Sequence, residues 1–151
     1  GTPVRTKVGH SFIKQIMAET GAVFGGEHSA HYYFARNFNA DSGLIASLMV
    51  MAEVGRSGQP LSVVRRPYER YEASGEINTQ VDDALAVIER ISDEYADFDQ
   101  DRLDGLTVDC GSWWFNLRPS NTEPLLRLNL EAADRASCDD AVGTLLAQIT
   151  S

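Results

Sequence analysis

Apolar and polar positions along this chain repeat with two different periods, and the places where the period changes divide it into elements. VRTKV alternates at period two and predicts a short strand. Phe12, Ile13, Ile16 and Met17 then recur at the spacing of one helix face, with Ser11 placed to cap that helix and Gly21 to end it. AVFGG reads as a short strand breaking into a glycine turn, and HYYFARNF, after GEHSAH, reads as another. Asp41 is placed to cap a further helix that carries Leu44, Leu48 and Met51 toward Gly55. Strand and helix alternate through this block, which predicts an α/β layer.

GRSGQP and RRPYERYEASGE follow, a turn-rich break and a polar connection with a proline. Few contacts cross such linkers, so a domain boundary is expected between Pro60 and Glu72, dividing the chain into 1–66 and 67–151. Beyond it YEASGEINTQV alternates as a strand, and Asp82 opens a helix with Ala84, Ile88, Ile91 and Tyr95 on one face. LTVDC, WWFNL and LLRLNLE read as three more strands. In the last helix Ser137 and Asp140 have capping-box spacing, and Val142, Leu145, Leu146 and Ile149 form an apolar stripe. The order β-α-β-β-β-α predicts a small four-stranded antiparallel sheet covered by helices, so the fold class expected for the chain is α/β followed by α+β.

Composition leaves that picture standing. With 151 residues, 43% hydrophobic and 23% charged, the chain can bury a core in one domain or two small ones. No apolar run reaches the ~18 residues of a membrane span and no charged-then-apolar leader is visible, so a cytoplasmic protein without a membrane partner is expected. Cys110 and Cys138 fit neither a metal nor a disulfide pattern and are expected as reduced thiols. The first pattern is under way almost at Gly1, and the chain is expected to be cut from something longer.

Charge changes the picture more. The net charge is −9, and the window from Glu76 to Asp109 holds 11 acidic and 2 basic residues, which is the whole excess. No basic stripe exists to replace counterions on a phosphate backbone, so a nucleic-acid partner is excluded, and the acidic window reads as a solvated face.

Two stretches carry candidate chemistry. In LRPSNTEP, Arg118 offers a planar fork suited to phosphate or carboxylate, while Ser120, Asn121 and Thr122 add short donors. The same residue types are also what turns use, so a plain polar turn stands beside a phosphate cradle. In GGEHSAH, with His10 upstream, Glu27 can accept from two adjacent sugar hydroxyls, Ser29 can donate, and His31 can move a proton. A metal site on His28 and His31 lacks a third convergent ligand, and Ser29 is not in a nucleophile elbow.

These two stretches, in this order and about 90 residues apart, resemble the sugar loop GExSGH and the phosphate loop RxSNTxP of the α-D-phosphohexomutases, the phosphomannomutase/phosphoglucomutase family. The likeness runs from the GHS-helix-loop segment through the final helix, with Ala30 where the family has glycine. It implies that 1–66 is the C-terminal part of a sugar-binding α/β domain 3 and that 67–151 is a phosphate-binding α+β domain 4. The implied reaction moves a phosphate between the 1- and 6-positions of a hexose, through a phosphoserine and a bisphosphorylated intermediate. Carried over, Glu27 and Ser29 hold sugar hydroxyls, and His10 and His31 sit beside the reacting sugar, with His31 the general acid/base. Arg118, Ser120, Asn121 and Thr122 bind the phosphate that is not transferred.

The family's phosphoserine loop and its DGDxDR magnesium loop belong to upstream domains 1 and 2. The resemblance therefore implies Mg2+ held outside this chain, a hexose 1,6-bisphosphate as activator and intermediate, and a fragment inactive alone. Asp97-Phe98-Asp99-Gln100-Asp101-Arg102 imitates the metal loop but lacks its glycine, follows the sugar loop, and fails as an EF-hand, so a solvated acidic loop is expected there. A phosphoglucosamine mutase fragment and a non-catalytic sugar-phosphate-binding module remain the alternatives. Asn121 favours the mannose/glucose branch over the first.

Overall fold

The computed structural model describes residues 1–120 and 123–151. The chain forms two compact units, Gly1–Tyr68 and Glu69–Ser151.

In the first unit helix α1 spans His10–Thr20 and stops at Gly21, whose φ of 68° is the left-handed cap that glycine accepts without strain. Ser11 lies inside its first turn; the N-cap position belongs to Gly9, at φ 129°. VRTKV forms no strand. Alternation alone does not hold an extended segment, which needs a neighbouring edge to take its hydrogen bonds, and none of the described strands pairs with it. Strands β1 (Phe24–Gly26), β2 (Tyr32–Phe34) and β3 (Ala40–Asp41) form an antiparallel sheet in that order. Gly25 pairs with Tyr33, and a Cβ on Gly25 would stand 3.0 Å from Ile13 Cγ2 and 3.1 Å from Met17 Sδ, so glycine lets α1 lie on the sheet. Ile13, Met17 and Tyr33 make the small core between them.

Helix α2 spans Gly43–Ser57 and ends at Gly58, beyond the expected Gly55. Ser42, not Asp41, caps it, its hydroxyl accepting from Ile45 N–H at 3.2 Å. Asp41 is committed to β3 and lies one residue too early. A short helix α3, Leu61–Val64, follows.

In the second unit the single expected strand at YEASGEINTQV is two, β4 (Glu72–Ala73) and β5 (Ile77–Gln80), separated at Gly75 with φ 71°. Helix α4 (Ala84–Glu94) is capped by Asp83 rather than Asp82, its carboxylate accepting from Leu85 and Ala86. Strands β6 (Asp99–Asp101), β7 (Leu106–Asp109), β8 (Trp113–Pro119) and β9 (Leu125–Ala132) precede helix α5 (Arg135–Ile149). Asp134 caps α5 by accepting from Ser137 N–H at 2.9 Å, which leaves Ser137 and Asp140 within the helix and not as a capping box.

The sheet runs β4-β9-β8-β7-β6, with β5 also on β9, and its ladders are antiparallel. It is wider than the four strands expected because the alternating run splits and because the acidic Asp99–Asp101 stretch is an edge strand, not a loop. Carboxylates on an edge strand also discourage pairing with other chains.

Strict alternation gives this sheet two faces. Phe115 and Leu117 on β8, and Leu126, Leu128 and Leu130 on β9, pack under α4 and α5 against Ile88, Ile91, Leu145 and Ile149. Each such side chain contributes on the order of 2 kcal/mol. The opposite face carries Asn116, Arg118, Arg127 and Asn129, directly paired as Asn116 with Asn129 and Arg118 with Arg127. Gly105, at φ 75°, closes over this ladder: a Cβ there would collide with the Leu117 carbonyl and Arg118 Cα. Cys110 and Cys138 are free thiols, and burial pushes Cys110 up to about 11.

Candidate functional site

In the first unit a pocket is lined by Gly9, His10, Glu27, Ser29, His31, Tyr33 and Asp41, which brings together His10, Glu27, Ser29 and His31. Glu27 is anchored at both oxygens: Oε1 accepts from Gly9 N–H at 2.8 Å and Oε2 from Tyr33 O–H at 2.9 Å. Tyr33 is fully buried, and burial first and the Glu27 bond second push its phenol up to about 12, so it stays a donor. An ionised carboxylate oxygen accepts more than one hydrogen bond, so Glu27 can still receive ligand hydroxyls while held in one orientation.

His31 Nδ1 lies 2.9 Å from Asp41 Oδ2, across the β2–β3 side of the sheet. Facing a carboxylate acceptor, Nδ1 carries the proton of the neutral ring, and Nε2 is the nitrogen left to exchange one with a ligand. The bond raises the His31 pKa above the ordinary imidazole value and lowers that of Asp41; Glu27 adds a smaller electrostatic push on His31. The loop is closed by Ala30 N–H on Glu27 carbonyl at 3.0 Å and Glu27 N–H on His31 carbonyl at 2.9 Å. That closure puts Ala30 at φ 66°, a conformation alanine adopts only under strain.

In the second unit Arg118 and Ser120 lie at the end of β8, where Ser120 N–H donates to Leu125 carbonyl at 2.8 Å and closes the turn to β9. Asn121 and Thr122 lie outside the described residues. Arg118 Nη2 donates to Glu76 Oε2 at 3.0 Å, Arg127 Nη1 stands 3.4 Å from Glu76 Oε1, and Arg127 Nη2 donates to Ser120 Oγ at 3.3 Å. Two arginines and a hydroxyl thus converge beside the loop with one carboxylate between the guanidinium groups.

Gly9, Tyr33, Asp41, Arg127 and Glu76 are not among the site residues expected from the sequence. Tyr33 had a signal, since in an extended run it falls two residues after His31 and hence on the same face. Asp41 and Glu76 had none: they reach their partners through hairpin and sheet pairing across 10 and 42 residues. Among the described residues no group of three or more His, Cys, Asp or Glu side chains could hold a metal ion, and no helix is long and apolar enough to cross a membrane. Asp101 instead accepts from Leu103 N–H at 2.6 Å, and Arg102 forks onto Glu89 at 2.7 and 3.0 Å.

Comparison with known proteins gives two family matches. Residues 1–71 match the phosphoglucomutase/phosphomannomutase alpha/beta/alpha domain III, and residues 76–145 match the C-terminal domain of the same family. The chain is 47% identical over 140 residues, 91% of its length, to a phosphohexose mutase of Xanthomonas campestris pv. campestris. It is 41% identical over 142 residues, 94% of its length, to a phosphomannomutase of Methanocaldococcus jannaschii. These matches span 31% and 32% of the relatives' own lengths, so the chain covers about a third of them. Among solved structures, a phosphoglucomutase/phosphomannomutase family protein from Burkholderia thailandensis superimposes with a TM-score of 0.80 over 99% of this chain and 33% of its own; at 24% identity that likeness speaks for the fold.

Proposed function

The chain belongs to the phosphoglucomutase/phosphomannomutase family, and from that premise we propose that it is the sugar-binding and phosphate-binding portion of a phosphohexomutase, a phosphomannomutase foremost. The parent interconverts hexose 1-phosphate and hexose 6-phosphate through a phosphoserine, which with the Mg2+ site belongs to upstream domains, and a bisphosphorylated intermediate, which is the substrate carrying the phosphoryl group that the serine has given up. The gathering of His10, Glu27, Ser29 and His31 in one pocket, with Glu27 and His31 each fixed by a neighbour, carries this reading.

In it Glu27 and Ser29 bind adjacent sugar hydroxyls. His31 takes the proton of the attacking sugar hydroxyl at Nε2 as the sugar O–P bond forms and the phosphoserine O–P bond breaks with the serine oxygen leaving; in the reverse direction the serine oxygen attacks, the sugar O–P bond breaks, and His31 returns the proton to the departing sugar oxygen. Asp41 stabilises the imidazolium formed in between. Arg118 and Ser120, with Asn121 and Thr122, anchor the phosphate that does not react, the one strong handle present in both binding orientations of the sugar. In this reading the ligands of Mg2+ belong to the upstream domains of the parent, as the resemblance implies. In the full-length protein Arg118→Ala is expected to raise KM for mannose 1-phosphate about tenfold, about 1.4 kcal/mol, with a smaller change in kcat. An unchanged KM removes Arg118 from the site.

A further inference from the structure

β2 is the middle strand of the first sheet, with Gly25 opposite Tyr33 on one side and Asp41 opposite it on the other. α1 covers that position, so the Tyr33 ring lies fully buried against Ile13 and Met17. Strands on both sides and a helix above leave the ring no second place, and packing delivers its hydroxyl to one point. That point is Glu27 Oε2, at 2.9 Å. The other oxygen, Oε1, accepts at 2.8 Å from Gly9, the N-cap residue of a helix that has no side-chain cap of its own. Glu27 is held from two directions by donors on different elements. A carboxylate has about four acceptor positions, two on each oxygen, and the chain fills one on each. The position left on each oxygen can be filled only by a group that brings a hydrogen. The Tyr33 phenol, pushed up to about 12 by burial first and by Glu27 second, keeps its proton, so the tyrosine side of the bond stays the donor.

We propose that Tyr33 is a positioning residue that makes this pocket select hydrogen donors: by holding Glu27 at one oxygen it aims the remaining acceptor positions at neighbouring carbons of the sugar, and admits there a hydroxyl or an ammonium group but not hydrogen or fluorine. This rests on the reading of Glu27 as the residue that receives sugar hydroxyls. Two effects of the hold have the same sign. Glutamate is among the side chains that lose most rotamer freedom on being fixed, and Tyr33 fixes it before the ligand arrives. The pocket is open to water at Ser29 and His31, both exposed, so a glutamate freed of one bond can turn to solvent. A held one that faces fluorine or a missing hydroxyl is left unpaired and bears the desolvation cost. Tyr33 therefore tightens the right ligand and sharpens rejection of the wrong one. A tyrosine that only competed with the sugar for Glu27 would do the opposite, and its removal would tighten binding.

The test uses the full-length protein, with mannose 1-phosphate and its 2-, 3- and 4-deoxy and deoxyfluoro analogues, and dissociation constants from calorimetry. Glu27→Ala identifies the carbons whose hydroxyls Glu27 receives: there the weakening caused by an analogue is expected to be about tenfold in the unaltered protein and absent in the variant. Fluorine is expected to do no better than hydrogen. Tyr33→Phe, which removes the hydroxyl alone, is expected to raise KM for mannose 1-phosphate about fivefold with a smaller change in kcat, and to cut the analogue penalty at those carbons to about threefold. The penalty is a ratio within one preparation, so a smaller folded fraction does not enter it. Should Tyr33→Phe fail to fold, the bond is followed in the unaltered protein with carbon-13 at tyrosine Cζ in mixed H2O and D2O. The split signal of a slowly exchanging, bonded Tyr33 hydroxyl is expected to persist on saturation with mannose 1-phosphate. A KM unchanged or lowered by Tyr33→Phe, fluorine accepted as well as hydroxyl, or a hydroxyl released on saturation overturns the inference. If no penalty depends on Glu27, the sugar-site reading fails and the inference with it; a Glu27-dependent penalty indifferent to Tyr33 sinks the inference alone.

Discussion

The second unit holds Phe115, Leu117, Leu126, Leu128 and Leu130 at 1% exposure or less beneath α4 and α5, whereas the first buries Ile13, Met17, Tyr33 and Phe34 and leaves Val23, Leu44, Met49 and Met51 at 60% or more. None of the residues of α2 is buried. The two halves of the candidate machinery are therefore held by different forces. Arg118 and Arg127 ride on the back of a sheet whose other face is a dense apolar core, so their backbone positions are set by packing. The sugar-type pocket stands on three buried apolar residues and a set of polar bonds centred on Glu27. Changes in apolar volume should dominate the second unit, and changes in single hydrogen bonds and dihedrals the first.

The largest test of that contrast is Phe115→Ala. It opens a cavity beneath Tyr95 and Trp113, whose rings lie 5.1 and 5.7 Å from that of Phe115, and should cost about 4 kcal/mol. Both tryptophans, Trp113 and Trp114, belong to the second unit, so fluorescence during denaturant unfolding reads it alone. A loss under about 1 kcal/mol would show that this core does not carry the unit. Tyr33→Phe removes one bond to an ionised carboxylate and is expected to destabilise the first unit by about 2 kcal/mol, read by hydrogen exchange of the Gly9 and Glu27 amides. The tryptophan transition should not move; if it does, the two units are not separable in this way.

Ala30→Gly has the opposite sign. It relieves about 1–2 kcal/mol of left-handed strain and gives back about 0.4–1 kcal/mol through a freer unfolded chain, so a net gain of roughly 0.5–1 kcal/mol is expected. A loss in hydrogen-exchange protection of the Glu27–His31 loop would mean that the strain is not borne there. The smallest effect is that of Asp41→Asn, since His31 and Asp41 are 55% and 40% exposed and water screens the pair. Because Asp41 raises the His31 pKa, the pair stabilises fully at pH below the ordinary imidazole range and is lost as pH rises through the raised value. Asp41→Asn should bring the His31 pKa down in an NMR titration and flatten that pH dependence; an unmoved pKa would deny that Asp41 is its cause.

Much of this was legible in the chain because it is encoded locally. Gly21 ends α1, the alternation of WWFNL and LLRLNLE is the two-faced β8–β9 ladder, and the helical stripes of Ile88 and Ile91 and of Leu145 and Ile149 do face a core. The caps lie one to three residues from Ser11, Asp41, Asp82 and Ser137: at the last three a neighbouring Ser or Asp takes the role, and at the first Gly9 does, without a side-chain bond, because only the path of the chain chooses between the candidates. VRTKV and DFDQD exchanged roles, one expected as a strand and unpaired, the other expected as a loop and paired with β7. Strand formation depends on a partner edge that no local pattern contains.

The sequence by itself determined the periods, the turn glycines and the two loops whose residue types suit a sugar and a phosphate, since each is a property of a few consecutive residues. Only the tertiary structure decided who stands beside them. It set Tyr33 and Gly9 on Glu27, Asp41 on His31, and Glu76, first residue of the acidic window, between Arg118 and Arg127. Charge counted along the chain placed that window away from the arginine loop; strand order brought its first carboxylate to within 3.0 Å. Electrostatic balance is struck over ångströms in space, and sheet pairing, not sequence separation, sets those distances.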